Sequence, residues 1–227
     1  MALVTFDLFS ALIDSRTGGS AAFSGIAAGH GWDVPGADLY DDWDARNKAS
    51  QQDVPHDDDA PWLPFAEHCR RALAATYAAR GLRADADADV VLLLGSLPEW
   101  PLWPDVEAAL PELRRSHRVG VLSNVDDVLF QRTSVAPLVD DDAVLTSQRL
   151  RAYKPHRELY LRARDAGVRV HVPASARDTR GALEAGLAVV RVRRPGHRVD
   201  PEGPQPDHEV ADLVGLPAVL DRLVAGT

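Results

Sequence analysis

In the second half of the chain, short β-prone apolar runs alternate with stretches of helical periodicity, and this limits the fold more than any other feature. Residues 118–122, 143–146, 168–172 and 188–192 read as strands, and helical patterns over 105–116, 126–132, 157–166 and 179–185 precede them in turn. Such alternation predicts a parallel sheet joined by crossover helices, an α/β protein with a Rossmann-like core. Leu3-Val4-Thr5-Phe6 adds a first strand, because a strand buried on both faces reads as a continuous β-prone run. Residues 212–224 predict a closing amphipathic helix.

Between the first strand and this region the pattern changes. The turn formers 14–20 can cap a helix over 21–28, residues 40–48 read as a polar helix with large apolar anchors, and 62–80 and 88–97 are helical. No strand signal interrupts 17–97, and the prolines at 98, 101 and 104 mark a return to the core. The expectation is a core of residues 1–14 and 100–227 with an inserted helical cap domain over 15–99.

Composition narrows the function. The 227 residues are 45% apolar, enough for a substantial core, and the net charge of −9 opposes binding to nucleic acid or an acidic membrane, which needs a basic face. Arg191-Val192-Arg193-Arg194 is too short a basic cluster to reverse that expectation. No run approaches the roughly 18 apolar residues of a membrane span, and no basic leader precedes the first strand, so a cytoplasmic protein is expected. The single cysteine, Cys69, excludes an intrachain disulfide and reads as packing. Of 25 basic residues only Lys48 and Lys154 are lysine, which draws attention to both.

The chemistry sits where strands end. Asp7 follows the first strand, Ser123 and Asn124 follow the second, Lys154 lies in a later loop, and Asp178 follows the strand at 168–172. In open α/β sheets ligands bind beyond the carboxyl ends of the strands, so these groups can converge. Together they make a coherent set. A carboxylate attacks an electrophilic centre to form an ester, an ammonium orients and balances it, hydroxyl and amide donors hold the leaving group, and a second carboxylate positions a water.

This order resembles the haloacid dehalogenase superfamily of aspartate-nucleophile hydrolases. Phe6-Asp7-Leu8-Phe9-Ser10-Ala11-Leu12 is similar to its first motif, Val121-Leu122-Ser123-Asn124 to its second, the stretch from Tyr153 to Tyr160 to its third, and that from His171 to Leu187 to its fourth. The resemblance implies catalytic roles for Asp7, Ser123, Asn124, Lys154 and Asp178, a small and anionic substrate, and no cofactor. Within the superfamily the chain looks most like the 2-haloacid dehalogenases, because Phe9 stands where phosphatases carry a second Asp and Pro173-Ala174 where they carry Gly-Asp. It departs from dehalogenases at Ala11 (a threonine there), Asp44 (the cap arginine), Pro173, Ser175 and Arg177.

The substrate-binding candidates are Phe9, Trp43, Arg46, Tyr160, Ser175 and Arg177, with Arg46 or Arg177 as a replacement anion anchor. Tyr160 also reads as packing, and Asp178 as the cap of a helix beginning near 179. His171 reads as a core residue, and His56 fits no metal-ligand spacing. The alternatives are a magnesium-dependent phosphatase, whose metal would find only Asp7 and Asp178 as side-chain carboxylates, and a catalytically weak member kept as a binding protein. The resemblance also leaves room for a homodimer.

Overall fold

The computed structural model describes residues 1–52 and 62–225; the acidic stretch 53–59, with His56, lies outside the described residues. Strand β1 (Leu3–Phe6) is followed by helices α1 (Ser15–His30), α2 (Gly36–Gln52), α3 (Phe65–Arg80) and α4 (Ala86–Gly95). Then come α5 (Val106–Leu113), β2 (Arg118–Ser123), α6 (Asp127–Phe130), β3 (Val144–Thr146), α7 (Ser147–Leu150), α8 (Arg157–Asp165) and β4 (Val168–Val172). The chain closes with α9 (Ala176–Glu184), β5 (Ala188–Val192), β6 (His208–Val210) and α10 (Leu216–Ala225).

The strands form one six-stranded sheet in the order β3-β2-β1-β4-β5-β6, and every neighbouring pair is parallel. Leu159, Ala163 and Ala182 of α8 and α9 cover one face; Val106 and Leu110 of α5 with Leu216 and Leu220 of α10 cover the other. The chain is thus an α/β protein with a Rossmann-like parallel core and an inserted helical cap. The connection from β1 leads to one side of the sheet and that from β4 to the other, so the crevice between these adjacent strands is the topological switch point where such folds bind ligands. Among the described residues no helix is long and apolar enough to cross a membrane.

The cap packs as a helical cluster, α2 lying against α1 and α3, and α4 against α1 and α3. Asp14 caps α1 by accepting the Thr17 N–H (3.2 Å), and Gly31 ends the helix at φ +67°, a left-handed conformation that glycine adopts without strain. Helix α3 has no side-chain cap of its own. Its first N–H groups, from Phe65 and Ala66, instead donate to the Asp126 carboxylate beyond β2 at 2.8 and 2.9 Å, which ties the cap to the sheet.

Element boundaries differ from the sequence reading in instructive places. Helix α1 starts at Ser15, because Asp14 itself is the cap. Helix α9 starts at Ala176 with Ser175 as its N-cap, so Asp178 is inside the first turn and is not the cap. Strand β6 carries no apolar run, since this short edge strand buries only Val210, and periodicity therefore misses it. A 3-10 turn at Leu213–Gly215 precedes α10, delaying the last helix beyond the expected start.

One glycine is fixed by close approach. A Cβ on Gly120 of β2 would lie 2.1 Å from the Ala143 carbonyl oxygen, a backbone atom that cannot swing away. Gly120→Ala is expected to destabilise the fold by about 1–3 kcal/mol through overpacking, read as a lowered urea midpoint.

Candidate active site

Asp7 leaves β1 at the switch point, and its N–H donates to the Val172 carbonyl at the end of β4 (3.2 Å). The next residues, Leu8–Leu12, make a single π-helical turn closed by the Ile13 N–H on the Leu8 carbonyl (2.9 Å). Such turns are rare and recur at functional sites. This one places Ser10 over the nucleophile candidate: the Ser10 hydroxyl and N–H both donate to Asp7 Oδ2, at 2.5 and 3.1 Å.

Lys154 Nζ lies between two carboxylates, donating to Asp7 Oδ1 at 2.9 Å and to Asp178 Oδ2 at 2.6 Å. All three side chains are largely withdrawn from water, 4% exposed for Lys154, 12% for Asp7 and 4% for Asp178. Asn124 fixes the lysine's backbone, accepting the Lys154 N–H (2.7 Å) and donating to its carbonyl (3.1 Å), and also donates to Gln51 of α2 (2.7 Å). Ser123 Oγ approaches Asp7 Oδ1 at 3.5 Å, the limit of a hydrogen bond.

Asp178 is the most heavily bonded of these groups. Tyr160 donates its hydroxyl to Oδ1 (2.9 Å), and His171 Nε2 lies 3.1 Å from Oδ2. Burial alone would raise the proton affinity of this carboxyl; Lys154 and His171 outweigh burial and hold it well below the usual carboxylate range. Asp178 is therefore a persistent anion that holds its neighbours in place.

These groups open into a cavity of about 670 Å³ between sheet and cap. Ser175 and Arg177 line it from α9, and Arg177 Nη1 donates to the Lys48 carbonyl of α2 (2.9 Å). Burial pushes the Arg177 guanidinium down from its usual range. On the cap side Trp43, Asp44, Asn47, Lys48 and Gln51 recur at helical spacing and share one face of α2. Phe9 stacks on Phe65 with centroids 5.8 Å apart.

Several site expectations need correction. Arg46 is exposed and does not line the cavity, because it falls off the face of α2 set by residues 43, 47 and 51. Tyr160 is fully buried behind Asp178 and does not line the cavity either, so it positions a carboxylate without touching an occupant. His171 is fully buried but belongs to the polar cluster, its other ring nitrogen lying 3.1 Å from Thr5 Oγ1. A histidine inside an apolar strand could have raised this, since buried polar groups require partners. Ser10 was missed entirely, its signal being only a hydroxyl three residues beyond the carboxylate.

The donor set is a poor fit to magnesium. Among the described residues no three His, Cys, Asp or Glu side chains are grouped to hold a metal ion. The Lys154 ammonium already bridges Asp7 and Asp178, and both oxygens of Asp178 carry further donors, whereas magnesium prefers six oxygen ligands.

No protein-family model matches the sequence, and no curated protein matches it by sequence. A parallel sheet in this strand order under a helical cap is the haloacid dehalogenase fold, shared with the solved structures that follow. Solved structures similar to this chain include L-2-haloacid dehalogenases. One superposes with a TM-score of 0.79 at 25% identity over 97% of this chain and 99% of its own. A defluorinating L-2-haloacid dehalogenase gives 0.82 at 25% over 97% and 95%, and the L-2-haloacid dehalogenase of Xanthobacter autotrophicus with chloropropionic acid covalently bound gives 0.80 at 21% over 97% and 99%. The chain therefore has the haloacid dehalogenase fold, and L-2-haloacid dehalogenases are among the structures similar to it over nearly its whole length.

Proposed function

We propose that the chain is a haloacid dehalogenase-like hydrolase that displaces halide from a small 2-halo acid through an aspartyl ester on Asp7. The observation that carries this reading is the Lys154 ammonium held between Asp7 and Asp178 at the switch point. We take residues 15–99 as the cap that encloses the substrate and 1–14 with 100–227 as the catalytic core.

An Asp7 oxygen attacks the carbon bearing the halogen, the carbon–halogen bond breaks, and the halide departs, leaving an ester. Water then adds to Cγ of Asp7 and the ester bond at that carbon breaks. The product is a 2-hydroxy acid carrying an oxygen from Asp7, and each turnover consumes one water and releases one halide and one proton. Lys154 pairs with Asp7 and aims its carboxylate, and Asn124 holds Lys154. Asp178 orients the water as an acceptor; its low proton affinity suits positioning more than proton abstraction. Arg177, in the cavity wall, receives the substrate's carboxylate.

Phe9 supports carbon chemistry over phosphorus. Its ring packs on Phe65 where a phosphatase would present an acid to the leaving alcohol. The test assays 2-chloropropionate and a chromogenic phosphoester with and without a chelator. Halide release unaffected by the chelator is expected; phosphate release that the chelator stops would overturn the reading.

Ser10 is a positioning residue in this scheme, because its two hydrogen bonds fix the Asp7 carboxylate. Ser10→Ala leaves only the N–H bond. A hydrogen bond to a charged group contributes about 1.5–3 kcal/mol, so kcat is expected to fall roughly 10- to 100-fold with KM little changed, while Ser10→Thr retains most activity.

A further inference from the structure

Taking the aspartate chemistry above as given, we infer that the substrate is a carboxylate with a bulky aromatic tail, held by Arg177 at one end and by an aromatic wall that begins at Phe9. Three observations converge on this occupant: the volume of the cavity, the continuity of its apolar side, and the distribution of its cations.

At about 670 Å³ the cavity has room for roughly twenty waters at about 30 Å³ each. It falls within the range of about 300–1,000 Å³ that encloses drug-sized ligands. A three-carbon haloacid would displace only a few of those waters and leave the remainder against aromatic surface.

The aromatic wall is continuous. Phe9, two residues past the nucleophile, stacks on Phe65 and meets Trp100 edge-on with centroids 6.0 Å apart. Trp100 meets Tyr40 at 6.4 Å, and Tyr40 meets Trp43 at 5.8 Å. All five side chains line the cavity that Asp7 also lines, so the apolar surface starts two residues past the nucleophile candidate and runs into the cap. An aryl tail would displace water from this surface and gain the free energy of apolar burial, with added preference for edge and face contacts between rings.

The cations assign the other end. Lys48 is paired with Asp44 at 2.5 Å, Arg16 with Asp41 at 2.8 Å, and Lys154 with its two carboxylates. Arg198 lines the cavity but is exposed. Arg177 forms no ion pair among the described residues and donates only to the Lys48 carbonyl, although it is partly buried. A guanidinium in that condition has forks free for a carboxylate, which it binds bidentately.

The experiment separates binding from chemistry. Non-halogenated 3-phenylpropanoate and propionate are titrated into the wild-type chain by calorimetry, and halide release is then compared for 2-bromo-3-phenylpropanoate and 2-bromopropionate. The phenyl acid is expected to bind at least about 30-fold tighter, and its bromo analogue to show at least about tenfold higher kcat/KM. Phe9→Ala should narrow the binding gap, and Arg177→Gln should weaken both acids while leaving the gap. Equal or weaker binding of the phenyl acid, or no binding of either, overturns the inference, as does faster halide release from 2-bromopropionate. A phenyl preference in binding without halide release from either bromo acid would instead uphold the ligand class and overturn the dehalogenase reading.

Discussion

Asp7→Asn is expected to reduce halide release by at least about three orders of magnitude, because the amide cannot form the ester on which both chemical steps depend. The substitution nearly preserves shape, and an amide oxygen can still accept from Ser10, so the variant should fold. Its thermal melt and circular dichroism serve as the control. A second measurement locates the intermediate. If water attacks Cγ of Asp7, one enzyme turnover in labelled water leaves the label in the Asp7 peptide and none in the first equivalent of hydroxy acid. Label in that first product would mean direct attack by water on the substrate and would remove the nucleophile from the scheme, whatever the mutant's rate.

The same carboxylate shows why part of this molecule could be read from sequence. Leu3–Phe6 is a strand because its residues are β-prone and buried on both faces, and a group placed just after such a strand must emerge at the carboxyl edge of the sheet. Asp7, Ser123 and Asn124 follow that logic directly, while Lys154 and Asp178 reach the same edge from the loop after α7 and from the first turn of α9. Contacts that depend on side-chain direction were not readable. Arg46 was a plausible cap cation until the face of α2 was fixed by Trp43, Asn47 and Gln51. Arg191 and Arg194 looked like a minor basic patch. Both are buried: Arg194 pairs with Asp105 at 2.7 Å and donates to the Ala11 carbonyl, bracing the π turn, while Arg191 holds the Ala174 carbonyl. Long-range pairs of this kind leave no local pattern. His171 is buried as a core residue should be, but its strand is apolar, and only the distant partners Asp178 and Thr5 reveal that it also braces the site.

Lys154→Met should be the most destabilising of these substitutions, and its cost should depend on pH. Methionine keeps the length of the stem but leaves Asp7 and Asp178 without the ammonium that bridges them. Removing one partner of a buried pair costs about 3–5 kcal/mol. In the wild type Asp178 is held below its unfolded value, so it contributes stability above the unfolded pKa of about 3.9, and that contribution is lost as pH falls toward the folded value. Without Lys154 only His171 is left to oppose desolvation, so the folded pKa of Asp178 moves upward. The smaller the remaining depression, the less stability ionised Asp178 contributes above the unfolded pKa. The difference in urea-unfolding free energy between wild type and variant should therefore be largest near neutrality and shrink as pH is lowered toward the unfolded carboxylate value. A difference independent of pH would show that the loss is one of packing and not of charge. Lys154→Arg should not restore activity, because a planar guanidinium cannot reproduce a compact ammonium held at 2.9 and 2.6 Å from two separate carboxylates.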